Sequence, residues 1–240
     1  MRRWIGIVSA ALLLAGCQAS SGGGSAGAKV KVDLAPNAQD YQVQQVAVLT
    51  FTNTSGNPDA EVMYNYILQA MGSTTPYVIT TVEMFEAEVR QAGVQEDYSR
   101  VAESWRKRRL IDAAPLGKLL DATGNDAVLC MDVSKWERLK LEPTQEGTSN
   151  TTVGLTVEMY APDATLLWAA HHTKLSKSPP YNPEFNIRST MSGEARTTST
   201  SSVPDPPKIE KVANEAANEA VATMPNLTGS AAPAAGSKTP

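Results

Sequence analysis

The chain opens with Arg2 and Arg3, continues through an apolar run from Trp4 to Leu13, and then reaches Leu14-Ala15-Gly16-Cys17. A basic start, a short apolar stretch and small residues before a cut make a secretory signal peptide, too short for a transmembrane helix. Residues 1–16 are therefore expected to be removed, and the remainder to fold outside the cytoplasm. Of the two cysteines, Cys17 falls at the cut, which leaves Cys130 without an intramolecular partner. A fold of this chain must rest on its core rather than on disulfides. Cys130 lies in the apolar run Ala127 to Val133 and reads as a small buried hydrophobe.

Leu14-Ala15-Gly16-Cys17 resembles a bacterial lipobox. The resemblance implies that the Cys17 thiol receives a diacylglyceryl group and that its new amine is acylated, with palmitate-type chains. Each buried methylene contributes about 0.8 kcal/mol, and two or more chains hold a protein stably on a membrane. Gln18 follows the cysteine where Asp would favour retention at the inner membrane, so the resemblance points to the outer membrane, facing the periplasm. The 240 residues carry a formal net charge of −4, and loss of Arg2 and Arg3 leaves the remainder more acidic. Such a chain has no general attraction to nucleic acid.

Composition divides the rest. Residues 17–40 begin with Ser, Gly and Ala lacking periodicity and read as a lipidated tether; 41–175 read as one α/β domain. Residues 176–207 are rich in Ser, Thr and Pro, 208–224 form a closing helix, and 225–240 form a disordered tail. Within the domain, Val43 to Phe51 predicts a strand, and Asn57-Pro58 starts a helix carrying Met63, Tyr66, Ile67, Ala70 and Met71 on one face before Gly72. Pro76 to Ile79 predicts a second strand. Thr80 to Glu83 has the spacing of a capping box, opening a helix with Val82, Phe85, Val89 and Ala92 on one face and Gly93 at its end. Gln95 to Ala114 is polar and poorly periodic, whereas Leu116, Leu119 and Leu120 mark a helix ending at Gly124. Ala127 to Val133, nearly all apolar, predicts a strand covered on both faces. Val153 to Met159 alternates with period two and pairs, across the turn Ala161 to Ala164, with Leu166 to Leu175 as a hairpin. Ile209 to Met224 carries a stripe of mostly small side chains fit to dock on the domain's own sheet. The expected fold is α/β: a single three-layer-like domain with a mixed sheet, flanking helices, a C-terminal β-hairpin and a closing helix.

Little in this inventory points to catalysis. His171 and His172 are neighbours on a strand and face opposite ways, so they cannot easily chelate one metal, and no Cys/His cluster supplies further ligands. Asp132, in the third strand, shares a side with Cys130 and Ser134 and is expected to be hydrogen-bonded near the strand end. No nucleophile elbow and no phosphate-cradling glycine loop is present. No catalytic residue, metal or cofactor is therefore expected. The strongest charged feature is Trp105-Arg106-Lys107-Arg108-Arg109, read either as a solvated surface or as a contact for an envelope partner.

With the VAVLTF strand (Val46 to Phe51), the helix and strand from Leu116 to Val133 and the hairpin Val153 to Trp168 in view, the chain resembles a superfamily of periplasmic lipoproteins. It looks like the conserved neisserial-type lipoproteins, related in fold to the curli secretion lipoprotein CsgG, the penicillin-binding-protein activator LpoB and the N-terminal domain of TolB. It departs from the pattern at Thr50, where the family has Pro, and at Asp163-Ala164-Thr165, which lacks the turn glycine. Trp136 to Asn150 and Ser176 to Ser202 show no sustained alternation over the roughly nine to eleven residues that a membrane-spanning strand needs. The reading that results is a non-catalytic, lipid-anchored accessory protein that docks an envelope protein or peptidoglycan, in an oligomeric state the sequence leaves open. The alternatives are a solute-binding or enzymatic periplasmic domain, with Asp132 and the loop Asn53 to Asp59 as its candidates, and a ring-forming, secretion-related subunit.

Overall fold

The computed structural model describes residues 29–183 and 202–229, so Cys17 and the lipobox lie outside the described residues. The strands are β1 (Lys31–Leu34), β2 (Gln45–Asn53), β3 (Val78–Thr80), β4 (Ala127–Leu139), β5 (Asn150–Tyr160) and β6 (Leu166–Lys177). The helices are α1 (Met63–Thr74), α2 (Val82–Ala92), α3 (Gln95–Arg108), α4 (Ala113–Thr123) and α5 (Ile209–Val221). One sheet runs β1-β6-β5-β4-β2-β3, parallel where β2 meets β3 and β4, and antiparallel elsewhere. It is the expected mixed-sheet α/β domain.

Two apolar clusters, one on each side of the sheet, define three layers. Val46 and Val48 of β2, Leu129 and Met131 of β4, and Val153, Leu155 and Val157 of β5 pack with α1 and α5. On the other side Ala47, Leu49, Val128 and Cys130 pack with Phe85 and Val89 of α2, Val101 and Trp105 of α3, and Leu116, Leu119 and Leu120 of α4. β2 and β4 are thus apolar toward both sides, as a strand covered by helices on two faces requires. A bulge at Ser134 breaks the register of β4 with β5 and turns Trp136 toward the α5 side. Gly154 faces the bulge: a Cβ there would come within 2.8 Å of Ser134 Oγ.

Several boundaries differ from the sequence expectation. The tether predicted to run to residue 40 is interrupted, because Lys31–Leu34 pairs antiparallel with β6 and extends the sheet by one edge strand. All four of its residues are exposed, so no buried face marks it in the sequence. α1 does not stop at Gly72; it runs to Thr74, and a 3-10 turn, Pro58–Val62, precedes it, with Asn57 capping through Asp59 N (2.9 Å). The cap of α2 is Thr81, one residue later than the capping-box spacing suggests. The polar stretch after Gln95 is helical in α3, held by the buried Val101, Ala102, Ser104 and Trp105. The far end of the Ser/Thr/Pro segment is fastened down, since Ser149 Oγ and Thr151 Oγ1 each donate to a backbone carbonyl, of Pro204 and Pro207, at 2.6 Å. The expected tail likewise begins inside the fold: Leu227 is buried, and its carbonyl accepts from Val43 N at 2.9 Å.

α5 docks on its own sheet through Val212, Ala213, Ala216, Ala217, Ala220 and Val221. Small side chains let the helix approach closely, and ionic groups fasten one edge. Lys174 of β6 pairs with Glu215 and Glu219, and the wholly buried ring of His172 meets Glu219 at 2.8 Å through Nε2. Burial alone would raise the Glu219 pKa, but the hydrogen bonds from Lys174 and His172 outweigh it and hold the carboxyl below its usual value.

These contacts can be tested by stability measurements. A carboxyl depressed by folding contributes stability above its unfolded pKa of about 4.3 and loses it as pH falls through the folded value. Glu219→Gln should therefore destabilise most at neutral pH, with the gap to the parent chain closing in acid, as read by urea denaturation across pH. The turn between β5 and β6 holds Ala164 at φ 64°, in the left-handed region that glycine occupies freely. Ala164→Gly should raise stability by about 0.5–1 kcal/mol, the relief of strain less the added freedom of the unfolded chain; thermal unfolding checks it.

Candidate functional site

The basic run divides between the interior and the solvent once α3 forms. Trp105 is fully buried, so it is no surface contact; its position three residues after Ala102 and four after Val101 puts it on the helix face that meets the sheet. Its Nε1 donates to Glu158 Oε2 at 2.7 Å, and Tyr160 OH donates to the same oxygen at 2.8 Å. Burial, followed by the charge of Glu158, pushes the Tyr160 hydroxyl pKa far up and keeps it a donor. Arg109 folds back over the Trp105 ring at 4.1 Å and pairs with Asp132 at 3.2 Å. It reaches both because it ends α3 at φ 55°, a left-handed conformation that costs a non-glycine residue about 1–2 kcal/mol. Lys107 and Arg108 face solvent and pair one turn along with Glu103 and Asp112. Arg106 turns to the sheet edge and donates through Nε to Thr50 Oγ1 at 3.0 Å.

Asp132 is buried and fully engaged. Beside Arg109 it accepts from Thr52 Oγ1 at 2.5 Å and Thr54 Oγ1 at 2.9 Å. The carboxylate and the loop after β2 are therefore in direct contact; Asp132 is hydrogen-bonded as expected, but it lies mid-strand beside the end of β2, because β4 runs on past the expected Val133 to Leu139. Burial raises the Cys130 thiol pKa well above its ordinary value, which suits a core thiol and not a nucleophile. His171 and His172 point to opposite sides, with His171 Nδ1 near Thr156 Oγ1 at 3.2 Å. Among the described residues no group of three or more His, Cys, Asp or Glu is placed to hold a metal ion, and no helix is long and apolar enough to cross a membrane.

A cleft of about 300 Å³ opens beside Arg106, lined by Thr50, Phe51, Asn53, Glu61, Tyr64, Val82, Glu83 and Arg106. Topology puts it there. The chain leaves β2 for α1 on one side of the sheet and leaves the adjacent, parallel β3 for α2 on the other. Such a switch point parts the two loops and leaves a crevice at the carboxyl ends of the strands. Tyr64 meets the Phe51 ring at 5.6 Å, tilted by 56°, and accepts from Val82 N at 3.0 Å, tying the start of α2 to α1. Glu61, Tyr64 and Glu83 cannot be picked out as site residues in the sequence, because the lining comes from four separate segments. The strand ending at Phe51 and the start of α2 after Thr81 are each visible there, but their adjacency is not.

The fold and cleft define a three-layer α/β domain with a mixed sheet and a switch-point crevice. It is similar to the PelC dodecamer from Paraburkholderia phytofirmans, at 12% identity over 81% of this chain and 94% of that one, with a TM-score of 0.43. It is also similar to the lipoprotein GNA1162 from Neisseria meningitidis, at 16% identity over 61% of this chain and 94% of that one, with a TM-score of 0.34. No family model and no curated protein matches the sequence.

Removing Arg109 should show how much the Asp132 cluster contributes. Breaking a buried pair costs about 3–5 kcal/mol, and the partial exposure of Arg109 scales this to about 2 kcal/mol for Arg109→Ala. Arg109→Gly should be milder by about 1 kcal/mol because glycine accepts the left-handed conformation without strain. Equilibrium unfolding of the two variants side by side measures the difference.

Proposed function

We propose that this chain is a lipid-anchored accessory protein of the cell envelope. Acyl chains on Cys17 hold it to a membrane, in this reading the outer membrane, facing the periplasm; the folded domain docks an envelope protein or peptidoglycan without turning over a substrate. The observation that carries the reading is the sequence Leu14-Ala15-Gly16-Cys17 behind its basic and apolar segments. Two features of the domain support it. The sheet begins at Lys31, and a chain spans at most about 3.6 Å per residue, so the stretch from Cys17 keeps the domain within about 50 Å of the bilayer. The groups that chemistry would call on are also committed to structure: Asp132 to Arg109 and two threonines, Glu158 to Trp105 and Tyr160, and Cys130 to the core.

Cys17→Ala is the test. The variant should lose lipid labelling and move from the membrane fraction to the soluble one while unfolding at the same temperature as the parent. Unchanged membrane fractionation would overturn the anchoring.

A further inference from the structure

The switch-point cleft carries charged groups that the fold itself leaves unused. Arg106 spends Nε on Thr50 Oγ1, and Thr50 is buried, which fixes the guanidinium at the mouth of the cleft. Its remaining N–H groups make no hydrogen bond or ion pair among the described residues. Glu61 and Glu83, on the same lining, likewise have no hydrogen-bond or ion-pair partner among the described residues. The same lining includes the rings of Phe51 and Tyr64 and the side chain of Val82. By contrast, the charged pairs along α3 satisfy one another.

A cleft with one oriented guanidinium, two free carboxylates and an apolar wall matches a ligand carrying both charges and a hydrocarbon portion. The guanidinium presents paired donors suited to a carboxylate. The two glutamates suit an ammonium group, and the aromatic wall suits methylenes. The cleft volume lies at the small end of ligand pockets, which fits a single residue better than a folded partner.

We propose that this cleft binds an α-amino-acid zwitterion with an apolar side chain: Arg106 holds its carboxylate, Glu61 and Glu83 its ammonium, and Phe51 and Tyr64 its side chain. The same chemistry comes from two sources, a free amino acid or the zwitterionic end of a diamino acid within a cell-wall peptide. The site does not rest on the anchoring of Cys17, and either can fail alone.

Calorimetric titration of the full chain in detergent tests it, with free leucine, N-acetyl-leucine, leucinamide, meso-diaminopimelate and the tripeptide L-Ala-D-Glu-meso-diaminopimelate as probes. Blocking either charge should weaken binding by about tenfold or more, the value of a lost charge-assisted hydrogen bond. Arg106→Gln should erase the preference for leucine over leucinamide, with a lowered melting temperature from the lost bond to Thr50, and Glu83→Gln the preference for leucine over N-acetyl-leucine, with an unchanged one. Tighter binding of the tripeptide assigns the site to the cell wall; tighter binding of leucine assigns it to a free solute. Absence of saturable binding by every probe, or binding indifferent to both blocking groups, overturns the proposal.

Discussion

The need to cover β2 and β4 on both faces governs the rest of the architecture. Val46 and Val48 face one way and Ala47 and Leu49 the other, and β4 repeats the arrangement from Ala127 to Val133. Neither strand can be exposed to water on one side without exposing several large apolar groups, at about 25 cal/mol for each Å². The chain must therefore send helices to both faces. It sends α1 to one before β3 and α2, α3 and α4 to the other after it. The crevice at the ends of β2 and β3 is a by-product of that division, and the same solution to a packing problem supplies the place where charged groups remain free.

The parts of the fold legible in the sequence are those with a period. β2, β4 and the β5–β6 hairpin show as apolar or alternating runs, and α5 as a stripe of alanines, because each buries a face that its own residues must encode. α3 is hidden since its apolar face is narrow: Tyr98, Val101 and Trp105 recur at helical spacing but are diluted by Glu, Asp, Arg and Lys. β1 is hidden because an edge strand with no buried residue leaves no pattern. The candidate site is legible only in fragments. The run from Trp105 to Arg109 stands out for its charge, yet its members divide by direction: Trp105 and Arg109 toward Glu158 and Asp132, Arg106 toward Thr50, and Lys107 and Arg108 toward solvent. Direction depends on the helix and on what it packs against, and neither is written in the composition of the run.

Two single residues have effects out of proportion to their size. Thr50 is the buried acceptor that orients Arg106. A proline there would offer no hydroxyl and would free the guanidinium. Ala164, left-handed at φ 64°, stores strain in the hairpin, and Tyr41 braces the same turn by donating to Asp163 at 2.8 Å and to Thr165 at 3.1 Å.

The first strand gives the protein a mechanical property. β1 is joined to β6 by four residue pairs, from Lys31 with His171 to Leu34 with Trp168, and none of its residues is buried. A pull on the chain from its N-terminal side loads Val30, which packs on the cluster beneath α1 and α5, and then this strand. When it peels away, residues 31–37 join the leash and lengthen its reach by up to about 25 Å. Val30 and Ala35 pack on the cluster beneath α1 and α5 and Ala38 is buried in it, so peeling meets the core at three points. The domain can yield to tension by releasing a short length of chain, and recover by zipping one strand back onto its edge.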